Sequence, residues 1–159
     1  MQNTTLSEIR IRYQEGKYQE ALSLVEKAER EGLFNSEIMV LKGRCIQLVD
    51  KVTPYNLSDA EYAFEQALEI DENFTPAITE LAWFYLNVLD DAVRAAPLFE
   101  RAIKLYKSMM TEAVIGMGKC LLETKTEILA KKYLEEALSN SLDLSPIQIA
   151  IAEIEQLEK

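Results

Sequence analysis

Few side chains in this 159-residue chain could carry chemistry, and one kind is missing altogether. No histidine occurs. That removes Ser–His and Cys–His nucleophile pairs, imidazole metal sites and histidine general bases together. The two cysteines, Cys45 and Cys120, do not have zinc-ligand spacing. Gly116–Met117–Gly118–Lys119 has the look of a phosphate loop, but it lacks the GxxxxGK[ST] spacing and any preceding strand. Asp90–Asp91 and Glu135–Glu136 are pairs adjacent in sequence, which read as surface charge and not as a general acid facing a base. No enzyme, no cofactor and no metal is expected.

Charge is the next bound. The net charge is −10, and between Lys51 and Arg94 no basic residue occurs, while Asp59, Glu61, Glu65, Glu69, Asp71, Glu72, Glu80, Asp90 and Asp91 all do. Such a balance disfavours nucleic acid and anionic membrane surfaces as partners. It reads either as a solvated face that keeps the protein soluble or as an acidic docking surface for a basic partner. Apolar runs are short and broken by charge, so no transmembrane segment is expected. The start, MQNTTLSEIR, lacks a basic n-region and an apolar h-region. The cysteines read as buried thiols in a reducing compartment, which makes the cytoplasm the expected location.

The elements that must position these residues follow from a spacing pattern. An Ala, a large apolar residue four places on and an Ala three beyond recur as Ala21–Val25–Ala28, Ala60–Phe64–Ala67, Ala95–Phe99–Ala102 and Ala130–Leu134–Ala137. Spacings of four and three put the three residues on one helical face. Small ends admit a second helix, and the large residue fills the gap. The copies step by 39, 35 and 35 residues, which is a repeat period.

With YQEGKYQEAL at Tyr13–Leu22 and FEQALEID at Phe64–Asp71, the chain resembles the tetratricopeptide repeat family, whose unit is a helix–turn–helix. The resemblance implies an all-α, right-handed α-solenoid of about four helix-turn-helix repeats plus a C-terminal capping helix, in one domain over 1–159. The units are expected at about 5–32, 36–71, 75–106 and 109–140, with the capping helix at 146–158. Thr5 with Glu8 and Ser58 with Glu61 are candidate capping boxes. Thr75 is a candidate N-cap with Pro76 following. Asp90 is expected to start the return helix of the third unit, with Pro97 in its first turns. Gly43 and Gly118 stand where the family wants a small residue, and Ile9 replaces it in the first unit. Cys45 and Cys120 then occupy equivalent places two repeats apart, too distant for a disulfide.

The family lines its groove with the first helix of each unit. Carried onto this chain, that implies Arg10, Arg44, Trp83 and Lys119 in the groove. Gln14, Gln47, Asn87 and Glu123 lie one turn further on, and Glu80 lies one turn before Trp83. Arg and Trp supply much of the energy of protein interfaces. The expected function is a non-catalytic protein–protein interaction adaptor. A peptide segment lies in the groove, its carboxylates on Arg10, Arg44 and Lys119 and an apolar side chain on Trp83. Of the places that clamp a terminal carboxylate in some members of the family, which here hold Leu6, Arg10, Leu41, Pro76 and Glu80, only Arg10 suits that work. The alternative is a dedicated small chaperone or toxin-neutralising immunity protein that binds a basic partner through its acidic surface. The partner is another protein or peptide, with no nucleic acid and no membrane, and the chain is a monomer or weak dimer.

Overall fold

The computed structural model describes residues 2–49, 54–124, 127–140, 148 and 151–152. These form helices α1 (Gln2–Gln14), α2 (Tyr18–Arg30), α3 (Ser36–Leu48), α4 (Leu57–Ile70), α5 (Thr75–Asn87), α6 (Ala92–Thr124) and α7 (Glu127–Asn140), and no strand occurs among them. The chain divides into two compact units, Met1–Ala102 and Ile103–Lys159.

In the first unit each turn has a local chemical cause. Gly16 and Gly32 adopt φ of 74° and 73°, the left-handed conformation that glycine takes without steric cost. Around them the Lys17 N–H donates to the Arg12 carbonyl and the Gly16 N–H to Tyr13. One hairpin later Leu33 donates to Ala28 and Gly32 to Glu29. Both are the doubled bonds of a Schellman C-cap, which satisfy carbonyls that the helix end leaves orphaned. Asn35 then caps α3, its side chain accepting from the Ile38 N–H at 2.8 Å. Asn56 and Asp59 close a reciprocal capping box on α4. Asp90 takes φ of 51°, which lets the Asp91 N–H fold back on the Tyr85 carbonyl. Asp91 in turn caps α6 by accepting from the Arg94 N–H.

The repeated signature forms the core. Ala21, Val25, Ala28, Ala60, Phe64 and Ala67 are fully buried. Full burial of one Phe or Leu side chain stabilises by about 1.5–3 kcal/mol. Gly43 shows why a small residue is needed opposite: a methyl group there would lie 2.5 Å from Cε1 of Phe64. The first repeat reverses the sizes, with fully buried Ile9 on α1 and only Val25 on α2. In the second unit the same device recurs on a smaller scale. Ala130 and Leu134 are buried on α7, and a methyl at Gly118 would lie 2.8 Å from Leu134. Val114, Ile115, Leu121, Tyr133 and Ile151 pack around this pair, half-buried.

Several expectations are corrected. Helix α1 begins at Gln2, so Thr5 and Glu8 lie within it and do not cap it. The box on α4 is Asn56–Asp59, two residues before Ser58–Glu61. Thr75 is the first residue of α5, and Phe74 stands at the cap without a side-chain bond. The return helix starts at Ala92, which makes Pro97 its sixth residue; α6 continues through it, without the bond that residue 97 would otherwise give the Val93 carbonyl.

The largest correction is α6 itself. A turn was expected between 106 and 109, yet the helix is unbroken for 33 residues, about 50 Å. The stretch Ile103–Met110 contains no Gly, Pro, Asn or Asp, and its Leu, Lys and Met residues are strong helix formers. Ser108 alone offers a cap, and nothing before it stops the helix. Cys45 is buried as expected, but Cys120 is exposed. The capping helix expected at 146–158 lies outside the described residues except for Gln148, Ile151 and Ala152, which are helical.

Candidate binding face on the first helices

Helices α1, α3 and α5 lie side by side in the first unit, α3 touching both of the others. The cause is the period: each is the first helix of its repeat, set against the next by the second helices α2 and α4. Seven of the expected site residues lie on these three helices, Arg10 and Gln14 on α1, Arg44 and Gln47 on α3, and Glu80, Trp83 and Asn87 on α5, and of these Arg44, Gln47 and Glu80 line one cleft. The other two belong to the second unit. Lys119 is exposed on α6, and the side chain of Glu123 lies outside the described residues.

The geometry differs from the expected one in its charges. The Arg10 guanidinium makes two 2.6 Å hydrogen bonds to the Glu37 carboxylate at the start of α3. Arg44 donates to Glu80 of α5 at 2.6 Å, both side chains about one-quarter to one-third exposed. The bonds to Glu37 hold the Arg10 pKa above its ordinary value. The two arginines thus tie α1 to α3 and α3 to α5 instead of standing open for a partner's carboxylates. An exposed pair such as Arg10–Glu37 adds little net stability, about 0–1 kcal/mol, but its forked geometry fixes the register of the helices.

Beside the Arg44–Glu80 pair lies a cleft of about 450 Å³ lined by Tyr13, Arg44, Gln47, Leu48 and Glu80. Tyr13 and Leu48 were not singled out from the sequence. Their signal was available: Tyr13 is three residues after Arg10, and Leu48 four after Arg44, one helical turn along the same face. Leu48 is 48% exposed, and burial raises the Tyr13 pKa. Gln47 turns back toward the Gly43 carbonyl of its own helix. A second cleft, of about 470 Å³, opens beside the first between the α1–α2 turn and the end of α3, and shares Leu48.

Trp83 is 48% exposed, with its indole edge-on to the Phe99 ring at 4.9 Å. Such a contact favours one ring orientation and leaves part of the indole open. Glu80, Trp83 and Asn87 fall at spacings of three and four, so the tryptophan lies one helical turn from Glu80, which lines the cleft. Asn87 and Gln14 are exposed. Among the described residues no group of three His, Cys, Asp or Glu could hold a metal ion. No helix among them is long and apolar enough to cross a membrane.

No protein-family model matches the chain, and no curated protein matches its sequence. Among solved structures it is similar to a human IFIT1 dimer with PPP-AAAA. That likeness has a TM-score of 0.56 and 18% identity, and covers 99% of this chain and 38% of the other. The chain therefore spans well under half the length of the protein it matches. The likeness shows the fold: an all-α helical-repeat solenoid of the tetratricopeptide type.

Proposed function

We propose that the chain is a non-catalytic binding scaffold that holds a protein segment against the face formed by α1, α3 and α5. One observation carries this reading. The only tryptophan of the chain is half exposed and packs edge-on against Phe99, one helical turn from Glu80 in the wall of an open cleft. An exposed, pre-oriented indole loses little ordering entropy on binding and supplies the apolar anchor of a peptide site.

The ion pairs refine the chemistry of the partner. Arg10 and Arg44 already face Glu37 and Glu80, so an added carboxylate gains little from them. A segment with an apolar side chain for Trp83, and backbone or amide groups for Gln14, Gln47 and Asn87, fits better than a run of acids. PPP-AAAA is named with the human IFIT1 dimer. A polyanion suits this chain poorly, given its net charge of −10 and arginines tied to carboxylates.

A second reading has its own observation. Tyr62, Glu65 and Glu69 are all exposed on one face of α4, with no basic residue between Lys51 and Arg94 to balance the acids. A chaperone or immunity protein for a basic partner would use that surface.

Affinity capture from the native lysate separates the readings. The baits are the wild type, a Trp83→Ala/Asn87→Ala variant and a Tyr62→Ala/Glu65→Lys/Glu69→Lys variant. All altered side chains are exposed or half exposed, so the baits keep their helicity. Loss of a stoichiometric partner from the Trp83 variant alone supports the first-helix face. Loss from the Tyr62 variant alone moves the site to α4. Tight binding of PPP-AAAA itself would overturn the preference for a protein partner.

A further inference from the structure

Twice in the first unit a cation rests on an aromatic ring beside a carboxylate. The Arg94 guanidinium lies over the Tyr85 ring, 4.2 Å from its centroid, and bonds to the Asp91 and Glu61 carboxylates. The Lys42 ammonium lies over the Tyr55 ring at 5.8 Å and bonds to Glu29 at 2.6 Å. In both, the face of the ring attracts the cation and the carboxylate fixes it there. Trp83 has the ring and the carboxylate without the cation. Its indole is 48% exposed, and Glu80 stands one turn before it on α5. Among the described residues no cation lies over this ring. Glu80 accepts the Arg44 bond on Oε1, and no second donor among those residues reaches its carboxylate.

We propose that the partner supplies the missing cation: a basic side chain, arginine before lysine, lies over the Trp83 indole with its N–H groups toward Glu80. This rests on the reading of α1, α3 and α5 as the binding face, and names the side chain that Trp83 receives. Indole is the best of the aromatic rings for a cation. A planar guanidinium stacks on it, while the alkyl stem covers its apolar remainder. Charge complementarity points the same way. Glu80 is the only charged residue of α5, no basic residue occurs between Lys51 and Arg94, and the net charge is −10. Arg10 and Arg44, the arginines of the face, are held by Glu37 and Glu80. A carboxylate brought to the indole would meet Glu80 and the net negative field, and a basic side chain is drawn in by both.

Because the chain has one tryptophan, a proton–nitrogen correlation spectrum shows one indole N–H, and it reports on this place alone. The probes are Nα-acetyl-arginine amide, its neutral isostere Nα-acetyl-citrulline amide, and Nα-acetyl-leucine amide. The expected result is a saturable shift of the indole signal, with arginine binding roughly five- to tenfold more tightly than citrulline or leucine. High salt narrows that preference. Glu80→Gln, in a chain that keeps its helical circular dichroism, lowers it about threefold. Glu69→Gln, which removes the same charge from an exposed position on α4, leaves it unchanged. Equal binding of arginine and citrulline, or tighter binding of leucine, overturns the inference and leaves the binding face standing, since an uncharged anchor then suffices. An indole signal that no probe moves overturns it as well; capture with the Trp83 variant remains the separate measure of the face itself.

Discussion

Gly43 and Cys45 on α3 occupy the same places in their repeat as Gly118 and Cys120 on α6, and the two pairs have opposite surroundings. The glycines agree: each admits the large residue of its own signature, Phe64 or Leu134. The cysteines do not. Cys45 is fully buried in the first unit, where α3 packs against α1, α2, α4 and α5. Cys120 is exposed. Packing inside one helical hairpin is written into each repeat, whereas burial of the outer faces depends on what the neighbouring repeats supply. The first unit is a completed stack in this sense, and the described residues of the second form one hairpin.

The contrast is testable at its core residues first. Phe64→Ala removes a fully buried ring from the densest part of the molecule and is expected to cost about 3–5 kcal/mol. Leu134→Ala is expected at the low end of the range for leucine, about 2–3 kcal/mol, because its half-buried neighbours can relax inward. Urea unfolding of the two variants reads this directly; a larger loss at Leu134 would erase the distinction between the units. The glycines sharpen it. Gly43→Ala drives a methyl into a ring with no room to turn and should destabilise by about 1–3 kcal/mol. Gly118→Ala would bring its methyl to 2.8 Å from Cδ2 and 3.0 Å from Cγ of Leu134, and the gain in helix propensity, about 1 kcal/mol, offsets part of that clash, so a smaller loss than at Gly43 is expected.

A smaller effect of opposite sign belongs to Thr111. Its hydroxyl is buried without a hydrogen-bond partner. Thr111→Val removes that unmet polar group at nearly constant volume and is expected to raise stability by about 1 kcal/mol, read as a higher urea midpoint.

The thiols give the gentlest test. Burial pushes the Cys45 pKa up from an ordinary 9 to about 12, so the folded state resists deprotonation. Its contribution is intact below pH 9 and is lost as pH rises from 9 toward 12. The stability difference between wild type and Cys45→Ala should therefore shrink across that window. At pH 8 an aromatic disulfide reagent should label Cys120 in the native chain and reach Cys45 only after unfolding.

Much of this was legible in the sequence because it is periodic. The four Ala–large–Ala triplets and the need for a small residue at 43 and 118 are local patterns, and local patterns survive into the fold. Helix α6 was misread for a complementary reason. The period expected a turn at 106–109, but a turn needs a residue that ends the helix, and Ile103–Met110 offers none before Ser108. Phase told where a repeat should break; propensity decided that it does not. The ion pairs Arg10–Glu37 and Arg44–Glu80 were not legible either. Arg10, Arg44 and Glu80 were marked as separate groove residues. Which acid meets which arginine depends on the offset between neighbouring helices, and no single helix records that offset.

Because Trp83 is the only tryptophan, its emission reports on the proposed binding face alone. The deciding measurement is the fluorescence spectrum of the native chain titrated with the captured partner, or with the partner's contacting segment in a form free of tryptophan. The account predicts a saturable blue shift as the half-exposed indole leaves water, with a midpoint equal to the binding constant from an independent assay. Saturated binding with an unchanged spectrum would contradict it and place the working surface elsewhere on the chain.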